Sequence, residues 1–245
     1  MITLRACDCD VDGRIELNIM TTSRHYELNT YVANMQTNDI YPQVLNMGPN
    51  YDWQASNSLT RITSNTALDF TPNLRSFHLD PLTKLTDIIS QGYIYTRGLL
   101  ISRRLVDILK TNVLPPNRLF AADVIHAEVS QRYFWMHMTE ESETRIDYRA
   151  STFTCELEGC EGPETVMFSN HNDLRSACRS LVNRMGGNIR AQELVFQAGT
   201  PDFDLFFVQL TSRHIYISDR LRSQLIEQKV SGVEILPSAT VVKFP

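Results

Sequence analysis

The 245-residue chain has no apolar run approaching the roughly 18 residues that cross a bilayer. Its first residues, MITLRACDCDVDG, lack a basic stretch leading into a long apolar one, so no secretory signal is read there and a cytoplasmic location is expected. Cysteine is scarce: Cys7, Cys9, Cys155, Cys160 and Cys178 are odd in number and spaced like no disulfide framework, which fits a reducing compartment. Also missing are G-x-S-x-G, P-loop, G-x-G-x-x-G and H-E-x-x-H motifs, so no standard nucleophile elbow, phosphate loop or zinc-protease helix is marked. With 42% hydrophobic and 21% charged residues, what remains is an ordinary globular composition, long enough to bury a substantial core.

The net charge of −5 is unevenly spread. Residues 139–164 carry eight acids, Glu140, Glu141, Glu143, Asp147, Glu156, Glu158, Glu161 and Glu164, against Arg145 and Arg149. Such a block repels nucleic acid and attracts basic protein surfaces, which makes its glutamates candidates for contact with a partner. The competing reading is a solvated loop. Gly159, Gly162 and Pro163 lie in the same stretch and mark it as a linker or exposed loop between two lobes.

Nine asparagines and three prolines in the first 75 residues predict short strands and long loops, because Asn competes for backbone hydrogen bonds outside helices. Alternation predicts a hairpin of Ile2 to Ala6 with Arg14 to Met20 around Asp12-Gly13. Leu82, Leu85, Ile88 and Ile89 fall at three- and four-residue steps, which predicts a short helix over 82–90. A strand at Leu99 to Ile101 then leads to Ser102 as helix cap, with Leu105, Ile108 and Leu109 on one face and Pro115-Pro116 as the stop. Strands are predicted over 118–129 and 133–138, and a helix over 173–185 with Leu174, Ala177, Cys178, Leu181 and Val182 inward, stopped by Gly186-Gly187. The last part reads as strands at 205–210 and 215–217, a Ser218-capped helix with Leu221, Leu225 and Ile226 inward and Ser231-Gly232 after it, and strands at 233–236 and 240–244. The fold class expected is α+β, mainly antiparallel sheets with a few short helices, and two similar lobes are possible.

Asp8, Asp10 and Asp12 before Gly13 space three carboxylates as a calcium loop does, with Glu16 at the ninth position. The twelfth position is Ile19, where a bidentate Glu is expected, so an Asp-Gly hairpin with solvated acids competes with a calcium-binding interaction module. Zinc would need Cys7, Cys9, Cys155 and Cys160 to converge from C-x-C and C-x₄-C spacings that structural sites seldom use. No resident metal or cofactor is therefore expected. His171 and Cys178 on one helix would be separated by about 10.5 Å of rise, too far for a nucleophile and its base. Arg175, Arg179, Arg184 and Arg190 lack interleaved aromatics and read as a solvated face, so no nucleic-acid partner is expected.

One phrase is written twice, Ile101-Ser102-Arg103-Arg104-Leu105 and Ile217-Ser218-Asp219-Arg220-Leu221. The second copy, from Phe206-Phe207-Val208-Gln209-Leu210 through IYISDRLRSQLIEQKVSGVEILP, resembles the end of bacterial immunity proteins of the Imm11 and Imm43 type. The middle of the chain resembles them too, through Leu85-Thr86-Asp87-Ile88, GLLISRRLVDIL, Tyr133-Phe134-Trp135-Met136-His137, Ile146-Asp147-Tyr148 and Ser151-Thr152-Phe153. The likeness covers 82–245 as one domain-like stretch and leaves 1–81 as an Asn-rich region of its own. It implies a cytoplasmic protein, not an enzyme, that binds and neutralises a cognate toxin delivered by a contact-dependent or type VI route, with no membrane partner. Joined to the charge pattern, it makes Glu140, Glu141, Glu143, Glu156, Glu158, Glu161 and Glu164 the toxin-binding candidates. An enzyme whose site no motif marks is the remaining alternative.

Overall fold

A computed structural model describes residues 25–30, 35–63, 66–94, 98–139, 142–157, 162–184, 187–208 and 214–245. In chain order the strands are β1 (His25–Asn29), β2 (Val44–Met47), β3 (Phe77–Leu79), β4 (Ile88–Ile89), β5 (Gly98–Ser102), β6 (Asn117–His126), β7 (Val129–Met138), β8 (Thr152–Leu157), β9 (Glu164–Val166), β10 (Gly187–Val195), β11 (Leu205–Val208), β12 (His214–Ser218), β13 (Glu234–Pro237) and β14 (Val241–Lys243). The helices are α1 (Arg103–Leu109), α2 (His171–Arg184) and α3 (Asp219–Glu227). They form three mostly antiparallel sheets, ordered β11-β12-β1-β13, β14-β10-β8-β9 and β2-β3-β6-β7-β5-β4, so the fold is α+β as expected.

Two of these sheets repeat one plan. β4-β5-β7-β6 and β11-β12-β1-β13 are both runs of four strands with antiparallel neighbours, and in each a short helix follows the second strand, α1 after β5 and α3 after β12. The third position is filled by β7 in one run and by β1, from early in the chain, in the other. Alternation assigns the two faces of each run. Leu99, Ile101, Met136 and Met138 on one sheet, and Leu205, Phe207, Ile215 and Ile217 on the other, meet Leu105, Leu109, Leu221 and Leu225 of the helices in a shared core. The opposite faces have separate cores. Leu100, Phe120, Tyr133 and Trp135 pack with Val44, Phe77 and Leu79, while Phe206, Val208 and Tyr216 pack under the third sheet with Phe153, Leu194 and Phe196. Burial on both faces is why β5 reads as the unbroken apolar run Leu99-Leu100-Ile101.

Several expectations need correction. No helix forms over 82–90: Leu82 and Leu85 are exposed, and Ile88-Ile89 pair as β4 with Ile101 and Leu100. Asp80 accepts the Leu82 N–H, and the Thr86 hydroxyl donates to Ile88 O at 2.6 Å, so local side-chain bonds favour an irregular lead into a β-branched strand. The strand expected over 118–129 is interrupted by a turn at Ala127 and Glu128, both at positive φ, which joins β6 and β7 into one hairpin. Residues 142–157, within the stretch expected to be a linker or exposed loop, instead hold a 3₁₀ turn at Ser142–Arg145 and β8, and Ile146, Tyr148 and Phe153 are core residues. α1 ends at Leu109, well before Pro115, where the Thr111 hydroxyl and Asn112 side chain donate to Ile108 O. α3 ends at Glu227, ahead of Ser231-Gly232, and Lys229 at φ 50° turns the chain away, with Val230 N–H donating to Leu225 O; Ile226 faces outward. The hairpin of 2–6 with 14–20 and the stop at Gly186 lie outside the described residues.

Candidate functional site: two carboxylate clasps and an acidic sheet edge

The twice-written phrase is the helix half of a duplicated polar site. Asp87 immediately precedes β4 and Asp204 immediately precedes β11, and each comes to lie beside the serine that ends the next strand and caps the next helix. Ser102 N–H donates to Asp87 O at 2.8 Å and Ser218 N–H to Asp204 O at 3.0 Å. The Ser102 hydroxyl donates to Asp87 Oδ1 at 2.8 Å while its oxygen accepts Leu105 N–H at 3.2 Å; for Ser218, Asp204 and Leu221 the distances are 2.6 and 3.1 Å. Arg104 Nε donates to Asp87 Oδ1 at 3.1 Å and Arg220 Nε to Asp204 Oδ1 at 3.0 Å, with the second oxygen of each carboxylate taking the Nη2 donor. The result is a bidentate arginine fork on a carboxylate that also orients the helix-capping hydroxyl.

The carboxylates are buried and the guanidinium groups half-exposed. Burial by itself raises the Asp87 carboxyl, but the hydrogen bonds from Arg104, the Ser231 N–H and Ser102 outweigh it and hold the group below the usual carboxylate range. Asp204 has the same balance, with Arg220, Ser218 and the Val113 N–H as its donors. Both acids are thus ionised acceptors with their oxygens occupied. They are suited to holding structure and not to general acid-base chemistry.

Sequence reasoning placed the serines and leucines but missed both aspartates and the arginine forks on them. The available signal was an acid just ahead of an apolar stretch, in Thr86-Asp87-Ile88-Ile89 and Phe203-Asp204-Leu205-Phe206. Asp87 lies 15 residues before its serine and Asp204 only 14, so a gapless alignment of the two phrases brings Phe203 opposite Asp87.

Among the described residues, the acids of this block do not share one surface. Glu143 has no exposed area and cannot present its carboxylate to a partner. Glu156 is on β8, half-exposed, with Arg190 of β10 3.6 Å away. Glu164 opens β9, exposed at the outer edge of the sheet, and Cys155 pairs with it across the hairpin. Glu140, Glu141, Glu158 and Glu161 lie outside the described residues, as do Asp8, Asp10, Asp12 and Glu16, and Cys7, Cys9 and Cys160. Among the described residues no group of three or more His, Cys, Asp or Glu could hold a metal ion, and no helix is long and apolar enough to cross a membrane.

Of the catalytic suggestions, His171 opens α2 with its Nδ1 3.2 Å from the Tyr148 hydroxyl, which donates to Glu143 O. Cys178 lies further along α2, its thiol raised by burial and further by nearby Cys155, so it is a poorer nucleophile than a free cysteine. Arg175 and Arg179 are exposed, and Arg190 faces Glu156. Compared with known proteins, the chain matches no family model and no curated protein.

Proposed function

We propose that this chain is an immunity protein, which binds a protein toxin through the β8–β9 hairpin and occludes a basic cleft on it. The observation that carries the reading is a run of acids, with no basic residue among them, in the sequence of the β8–β9 hairpin. From Ala150 to Phe168 the sequence has four glutamates, Glu156, Glu158, Glu161 and Glu164, and no lysine or arginine. The two that are described are on the outermost hairpin of their sheet. A three-residue charged edge strand is a poor template for adding a further strand, so its charge is better suited to steering a basic surface into contact. Neutralisation by occlusion needs no catalytic residue. The likeness of 82–245 to immunity proteins supports the same reading, and the neutralisation would take place in the cytoplasm.

The test is co-expression with the product of the adjacent reading frame, followed by co-purification and a survival assay. A stable complex together with rescue of the cells is the expected result, and neither complex nor rescue would sink the proposal. Reversing Glu156, Glu158, Glu161 and Glu164 to lysine should then weaken binding by about tenfold or more and remove most of its salt dependence. Unchanged affinity and unchanged salt dependence would make the hairpin solvated surface only.

A further inference from the structure

Each clasp holds one thing that its own helix cap does not require. Asp87 Oδ2 accepts the N–H of Ser231 at 3.0 Å and its hydroxyl at 3.1 Å, and Ile88 N–H donates to Ser231 O at 3.1 Å. Ser231 is the fourth residue past α3, in the other half of the chain. Asp204 Oδ2 accepts the N–H of Val113 at 2.7 Å, and Asp204 N–H donates back to Val113 O at 2.7 Å. Val113 is the fourth residue past α1. The exchange is reciprocal. Arg104 adds to it by donating to Gln228 O at 2.9 Å and Lys229 O at 3.3 Å, the free carbonyls at the end of α3. Asn112 reaches Gln224 of α3 at 2.7 Å.

We infer that Asp87 and Asp204 interlock the two halves of the chain: each carboxylate, seated by the serine and arginine of its own half, fixes the segment by which the chain leaves the other half's helix. Contacts in which one unit's residue meets the other's counterpart, and the reverse, are the geometry of a two-fold dimer, here within one chain. The repeated strand order and the shared core between α1 and α3 fit the same description. Neither half can therefore open at its helix exit without releasing a buried carboxylate of the other.

Native-state hydrogen exchange on the full chain tests this, comparing wild type with Asp204→Asn and Asp87→Asn. Asp204→Asn should speed exchange about tenfold or more at 110–114 and at the end of α1, in the half that does not contain the substitution, and Asp87→Asn should do so at 228–233 and the end of α3. Acceleration confined to the substituted half, with the other half's helix exit at wild-type rates, would overturn the interlock. If the Asn variants do not fold, Ser231→Ala decides in the opposite direction. It removes only the hydroxyl bonds to Asp87, and should loosen the first turn of α1 if the halves are interlocked and leave it unchanged if they are not.

Discussion

Replacing Gly232 by alanine should destabilise the protein by about 3 kcal/mol through the junction where the first clasp meets the second half. Gly232 has φ +83°, a left-handed conformation that costs a residue with a Cβ about 1 to 2 kcal/mol. The added Cβ would also stand 2.1 Å from Ile88 O and 2.7 Å from Thr86 Oγ1. The carbonyl cannot easily retreat, because Ile88 N–H is bonded to Ser231 O and Ile88 O accepts the Thr86 hydroxyl. Relief requires residues 231 to 232 to withdraw from β4, which weakens one or two hydrogen bonds at about 1 kcal/mol each. Equilibrium unfolding in urea reads this as a midpoint lowered by about 1 M or more at unchanged slope. Gly199→Ala is the matched control: it has φ +82° and nothing within 4 Å of its added Cβ, so it should lose only the conformational part. Equal losses in the two variants would refute the argument that close approach to Ile88 matters.

Two pH dependences follow from the burial pattern. Asp87 and Asp204 are held below the unfolded carboxylate value of about 3.9, so the stability they contribute is complete above it and is lost as pH falls through their folded values. The Asp87→Asn, Asp204→Asn double variant should show a flatter fall of urea midpoint between about pH 5 and 3 than wild type, and an identical slope would count against ionised clasps. Burial lowers His137, against a hydrogen bond between Nε2 and Thr66 O, so its contribution is complete above about pH 6.5 and declines as pH falls towards the depressed folded value. His137→Gln should reduce the stability change between about pH 7 and 5, measured by thermal unfolding; no reduction would place the titration on other groups.

Much of the second half was legible because local and global signals agree there. Ser218 caps α3, Leu221 and Leu225 are its buried stripe, and the strands on either side alternate or run apolar, so propensity and packing ask for the same structure. Where reading failed, a side chain was committed to a contact distant in sequence. Leu82, Leu85, Ile88 and Ile89 have helical spacing, yet Asp87 is fixed by Ser102, Arg104 and Ser231, and that arrangement sets the following residues in a strand. The turn at Ala127 and Glu128 carried no Asn-Gly or Asp-Gly signal, and ten paired positions along β6 and β7 override the turn's own preference. Glu143 stood in a run of acids and read as surface, but the 3₁₀ turn that holds it packs beside Ile146 and Tyr148 in the third core. Charge in a sequence reports composition, while burial is decided by the strands that flank it.

The duplicated frame also bears on where substitutions leave the fold undisturbed. Arg104 and Arg220 look like a conspicuous pair of surface cations, but their forks are directed into buried carboxylates, so altering them would disturb helix caps and the contact between halves together. The β8–β9 hairpin and α2 belong to neither repeated unit. In the sequence they lie between β7 of the first unit and β11 of the second, and they belong to a third sheet packed on the outer face of β11 and β12, where Phe206 and Tyr216 meet Phe153 and Phe196. Glu156 contacts Arg190 across that added sheet, an exposed pair expected to contribute about 1 kcal/mol or less, and Glu164 is at the edge. Substitution at these positions therefore leaves the clasps intact. Under the proposed toxin-binding role, charge on this layer can change while the interlocked pair of units beneath it stays the same.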